Sequence, residues 1–353
     1  MRRILIFCAL ALVCAVPALG AELTVPGLDQ VWEEAENHGV ERGESLERGL
    51  SNLFSDAVSQ AGALFRASLT TAVKLVAVVL LCSLAESVKA GESEGLRAVN
   101  IAGALAITAL TMTDMAAMIG LGRDTLAKME GFSDLLLPVV AVLTAATGSV
   151  TAAAARQGAT VLFSQLLITA MDRLLVPLVY AFTAVSCAHA AVGNPGLKKV
   201  ADLLKGAITF FLTALLLVFV GYLTASGAIA GSVDAAAVKA AKLAISRAIP
   251  VVGSILADAS ESVLAGAGAL RGSVGAAGLL VVLALCLTPF LRLAMQYLVY
   301  KGAAALCAAV AQPRLSGLID AIGSAFGLVL GMTGAGALVL LVSLVSAVGA
   351  VTP

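Results

Sequence analysis

A handful of polar side chains stands inside long apolar runs: Asp114, Gln165, Thr169, Asp172 and Arg173, with Tyr180, Thr183, Arg292 and Lys301 further on. A charge at the centre of a bilayer costs at least ~2.5–3.5 kcal/mol, so such groups face a bundle interior, pair with one another, or line a polar path. On one continuous helix Gln165, Thr169, Asp172 and Thr183 fall within about 40° of a single direction, which predicts a polar stripe. The plainer alternative is that Asp172 and Arg173 sit together at an interfacial turn. Neither reading is catalytic. A phosphate loop of the GxxxxGK[ST] type is absent, as is the zinc-protease signature HExxH. Gly148-Ser149 with His189 would be a serine dyad lacking any third group, and Asp114 with Asp172 would be an aspartyl pair lacking the flanking glycines that such sites use. The expectation is no enzyme, no catalytic or metal-ligating residue and no cofactor.

The elements that must carry these groups are membrane helices. Of the 353 residues 60% are hydrophobic and 12% charged, and mean hydropathy is +1.02; soluble domains have about 45–50% apolar and 25% charged residues. Net charge is zero, so no basic field favours nucleic acid, and the expected surrounding is a lipid bilayer. Of the six cysteines, Cys8 and Cys14 fall in the leader, and Cys82, Cys187, Cys286 and Cys307 lie singly in apolar runs, where they act as small hydrophobes.

Arg2-Arg3, the apolar run from Ile4 to Val16, Pro17 and the small residues Ala18 and Gly20 predict a signal peptide over 1–20. An acidic, extracytoplasmic lead-in follows over 21–65, with apolar positions enough for short amphipathic helices only. The remainder, 66–353, reads as a polytopic all-α bundle. Its expected spans begin with Arg66–Val88 and Ala98–Leu121. A polar interfacial stretch, GRDTLAKMEGFSD, follows, and Leu135–Ala155 is a third span. Ala159–Val192 is long enough for two crossings or one tilted helix, and two limbs meeting at Asp172-Arg173 are the preferred reading. Lys198, Lys199 and Lys205 then form a basic loop assigned to the cytoplasm. Gly206–Gly231, Val274–Leu291, the segment containing Lys301 and Ile322–Ala350 complete seven or eight crossings. Gly323, Gly327 and Gly331, four apart, put small residues on one face of the last span, where helices approach closely. Between two spans, 232–273 reads as a central amphipathic or re-entrant hairpin bent at Pro250 and Gly253.

Three stretches carry a resemblance: AKLAISRAIPVVGSILADASESVLAGAGALRGSVG, LLPVVAVLTAATGSVTAAA and VYKGAAALCAAVAQP. Their order and spacing, after the leader and the acidic segment, resemble the stage III sporulation protein AE family over most of the chain beyond Ala67. The resemblance implies a multi-pass protein of the mother-cell membrane around the forespore. It would work with the other proteins of its operon, including a secretion-type ATPase and a ring-forming protein, and with a forespore membrane protein. Together these would form a secretion or feeding channel; a non-conducting scaffold that recruits the other components is the alternative. The resemblance supplies no catalytic residues.

Overall fold

The computed structural model describes residues 46–88, 93–146, 162–225, 273–309 and 313–349, with the isolated positions 33 and 36. Six long helices make up these residues: α1 Leu46–Val88, α2 Ser93–Ala146, α3 Leu162–Val192, α4 Pro195–Ala225, α5 Ser273–Ala308 and α6 Pro313–Gly349. Each contains a stretch long and apolar enough to cross a membrane. The signal segment 1–20 and the hairpin 232–273, with Pro250 and Gly253, lie outside the described residues.

Burial orders the bundle. In α6, 94% of the most apolar stretch is buried, against 22% in α1 and α4. This last helix is the axis, packed by α5 most extensively, then by α2 and α3. Among apolar side chains in lipid, burial is not itself a driving force, so helix association depends on close van der Waals fit and interhelical hydrogen bonds. Two of the glycines expected on one face of the last span show that fit. A methyl group added at Gly323 would stand 3.1 Å from Cβ of Tyr300, and one at Gly327 would stand 2.9 Å from the ring of Tyr297. Tyr300 in turn meets Phe326 edge to face, ring centroids 4.9 Å apart. Near the opposite end of α6, the Ser164 and Ser343 hydroxyls of α3 and α6 lie 2.5 Å apart.

Three expectations about the chain path are corrected. The described residues hold six candidate spans, where seven or eight crossings are expected of the whole chain. First, the polar stretch after Leu121 does not interrupt the chain. It continues as helix within α2, whose 54 residues extend for roughly 80 Å at 1.5 Å per residue, far beyond a hydrocarbon core of ~30 Å. The part of the expected third span beyond Ala146 lies outside the described residues.

Second, the chain does not turn back at Asp172-Arg173. α3 passes through it as a single helix containing a π-helical turn, Met171–Leu175, in which the Val176 N–H bonds to the Met171 carbonyl five residues back. Pro177 lacks an N–H, and its ring crowds the carbonyl four residues earlier; one inserted residue relieves that conflict while keeping backbone groups paired, as a lipid setting requires.

Third, the basic loop shrinks to Gly193-Asn194. Gly193, at φ 74°, ends α3 in the left-handed conformation, its N–H bonded to the His189 carbonyl at 2.7 Å. Asn194 then caps α4 by accepting the Gly196 N–H at 2.8 Å, and Pro195 opens that helix. Gly past one helix end, Asn as the next cap and Pro at the first helical position is a complete stop-and-start signal. Lys198, Lys199 and Lys205 are therefore helical residues of α4.

One end of the bundle gathers the connections. Val79, Ala190, Cys307 and Leu315, from α1, α3, α5 and α6, share a core cluster there, and Gly193 packs against the Arg314 guanidinium.

Candidate functional site

The polar residues divide into three groups. The first is a seam on the bundle surface between α2 and α3, which run antiparallel. Arg123 Nε donates to Asp172 Oδ1 at 2.8 Å. Thr169 Oγ1 donates to Glu130 Oε1 at 3.3 Å, and Gln165 Nε2 donates to Asp134 Oδ1. The stripe expected on α3 thus exists over Gln165, Thr169 and Asp172. Its partners come from the stretch of α2 expected to be merely interfacial. The stripe ends at the π turn: Thr183 is buried and donates to the Tyr180 carbonyl at 2.8 Å, the inserted residue having shifted the helical register of everything after it. Arg173 is exposed beside the seam. The Arg123 side chain is 64% exposed and that of Asp172 26%, so the seam opens outward.

The second group is an interior clasp. Asp114 of α2 accepts the Tyr300 hydroxyl at 2.9 Å and the Gln296 amide at 3.0 Å through the same Oδ2, and the Ser68 hydroxyl of α1 donates to Gln296 Oε1 at 2.6 Å. Gln296 and Tyr300 are buried. The carboxylate ties α2 to α5 and Gln296 ties α5 to α1; the charge of Asp114 is met by hydrogen bonds from two neutral donors. Charge-assisted bonds of this kind are about twice as strong as neutral ones. Sequence reasoning singled out Asp114 and missed Ser68, Gln296 and Tyr300; a lone glutamine in the apolar run of α5 was the available signal.

The third group lies at the end that gathers the connections. Lys301 of α5 donates to Asp320 Oδ1 at 2.6 Å and to Ser324 Oγ at 2.8 Å, and Lys205 of α4 donates to the same Ser324 Oγ at 3.2 Å. Beside them is a cavity of about 240 Å³ lined by residues of α3, α4 and α6. Of the intramembrane polar residues singled out from sequence, Lys301 belongs to this group; Lys205 is expected from sequence in the basic loop instead. Among the described residues no group of three histidine, cysteine or carboxylate side chains has metal-binding geometry, and Cys82, Cys187, Cys286 and Cys307 are free thiols.

Six apolar helices, the last of them buried as an axis, with charges paired across helices, define a polytopic helical membrane protein. The sequence profile of the family Stage III sporulation protein AE matches residues 38–351. The chain belongs to that family, whose members are multi-pass membrane proteins of sporulation. It is 23% identical over 201 residues to the stage III sporulation protein AE of Bacillus subtilis (strain 168), an alignment covering 56% of this chain and 49% of that relative. The chain thus spans about half the length of the relative it matches. No solved structure matches it.

Proposed function

We propose that the protein is a membrane subunit of a sporulation-specific secretion or feeding channel between mother cell and forespore. It is permease- or export-apparatus-like, without catalysis of its own, and sits in the mother-cell membrane surrounding the forespore. Its partners are the other proteins of its operon, including the secretion-type ATPase that drives it and the ring-forming protein, and a protein of the forespore membrane. The observation that carries this reading is the outward-opening seam. Leu105, Met112, Leu166 and Phe210 are exposed as lipid-facing residues are, but Arg123 and Asp172 are charged where a lipid face would penalise them. A face of that kind suits water or another subunit.

Among the described residues three candidate spans precede the Gly193-Asn194 turn. From an exported N-terminus, an odd number of crossings puts that turn, with Lys198 and Lys199 just beyond it, in the cytoplasm, as the positive-inside rule favours. Among the described residues two further candidate spans, α4 and α5, return the chain to the same side at the start of α6, matching the gathering of both connections at one end.

The second reading, a non-conducting scaffold, is favoured by the filled axis: α6 occupies the centre of the bundle. Conduction would then run along the seam or between subunits. The test is Asp172→Ala in sporulating cells. Conduction predicts a block in sporulation with the operon proteins still recovered in a pull-down. Loss of those partners together with sporulation supports the scaffold, and normal sporulation removes the seam from the mechanism.

A further inference from the structure

The cavity at the end that gathers the connections has a charge imbalance unrelated to the seam. His189 of α3, Lys198, Asp202 and Lys205 of α4, and Arg314 and Asp320 of α6 line it. Lys301 stands behind Ser324. Lys198, Lys205, Arg314 and Lys301 oppose Asp202 and Asp320, so the cations outnumber the carboxylates two to one. Lys301 takes Asp320. Lys205, with three donor hydrogens, has among the described residues one hydrogen bond, to a Ser324 hydroxyl that already receives Lys301. Neither Arg314 nor Lys198 has a side-chain hydrogen bond or ion pair among the described residues. Two ammonium groups converging on one neutral oxygen repel each other, and the arrangement is relieved by an anion between them.

The α6 N-terminus opens on the same space, since Pro313 and Arg314 are among its lining residues, and the amide groups of a first turn add positive potential. Donors from two helices, a guanidinium among them, suit a tetrahedral oxyanion that accepts from several directions. We propose that this cavity binds a phosphate group, supplied by the headgroup of an acidic phospholipid or by a soluble phosphate. Basic pockets between membrane helices on the cytoplasmic side are suited to such headgroups.

The full chain, purified in a neutral detergent, is titrated with phosphatidylglycerol, with phosphatidylcholine and with inorganic phosphate. The melting midpoint and retained lipid, by native mass spectrometry, are read. Phosphatidylglycerol is expected to raise the midpoint by several degrees and to remain bound, whereas phosphatidylcholine does neither. A rise with inorganic phosphate alone assigns the site to a soluble phosphate instead. Arg314→Gln, which breaks no hydrogen bond among the described residues, is expected to weaken the response at least tenfold, and Lys205→Gln to do the same. Lys199→Gln, exposed and outside the lining, leaves it unchanged. Absence of any response in the unaltered protein, or an undiminished response in Arg314→Gln, overturns the proposal.

Discussion

The clasp around Asp114 and the seam around Asp172 are both built from an acid on one membrane helix and polar partners on another, yet they serve opposite ends. At the clasp the carboxylate meets a buried tyrosine hydroxyl and a buried amide; among the described residues no counter-charge enters, and the network faces other helices. At the seam the acid meets a guanidinium that is 64% exposed, and two more polar pairs extend the line along the surface. Satisfied interior networks specify which helices meet. Exposed ion pairs hold little stability, a median of about 0–1 kcal/mol, so a line of them on a membrane protein has to be explained by what it faces.

Four substitutions would break or sharpen this contrast. The largest effect is expected for Asp114→Ala, which leaves the Tyr300 hydroxyl and the Gln296 amide without their acceptor. At ~1–3 kcal/mol for each stranded buried group, the thermal midpoint in detergent should fall sharply and the protein should fail to accumulate in membranes. Gly327→Ala comes next. Its methyl would press on the Tyr297 ring at 2.9 Å, and overpacking of this kind costs about 1–3 kcal/mol, seen as a lower midpoint without loss of membrane insertion. Tyr300→Phe removes one donor and keeps the ring against Phe326, for a loss of about 1 kcal/mol by the same assay. Arg123→Ala should change the midpoint least, by under about 1 kcal/mol, while sporulation of cells carrying it collapses. A midpoint loss for Arg123→Ala equal to that for Asp114→Ala would erase the distinction between the two regions.

The sequence made the class of protein and one half of the seam legible, and it hid the other half. Composition alone dictates a membrane bundle, and the spacing of Gln165, Thr169 and Asp172 needs only helical periodicity to place them on one face. The four-residue spacing of Gly323 and Gly327 likewise announced a close approach. Their partners are set by tertiary pairing, which leaves no local trace: Gln296 and Asp114 are 182 positions apart. The charges of GRDTLAKMEGFSD suggested an interface between water and lipid, and gave no sign that Arg123, Glu130 and Asp134 among them would pair with α3. Asp172-Arg173 with Pro177 suggested a break, because a proline conflict read from sequence does not distinguish a turn from a π bulge. Lys205 was grouped with Lys198 and Lys199 by proximity, and only the start of α4 at Pro195 shows that it reaches Ser324 from within a helix.

Whether the seam truly meets water is the point on which the account turns. Single cysteines at Thr169 and at Ser68, introduced into a version lacking the native cysteines and reconstituted alone in lipid vesicles, can be exposed to a membrane-impermeant maleimide. The account predicts rapid labelling at position 169 and none at position 68, where α1 meets Gln296. Position 169 as unreactive as a cysteine at the exposed, apolar Leu105 would show the seam lying against lipid and contradict the account.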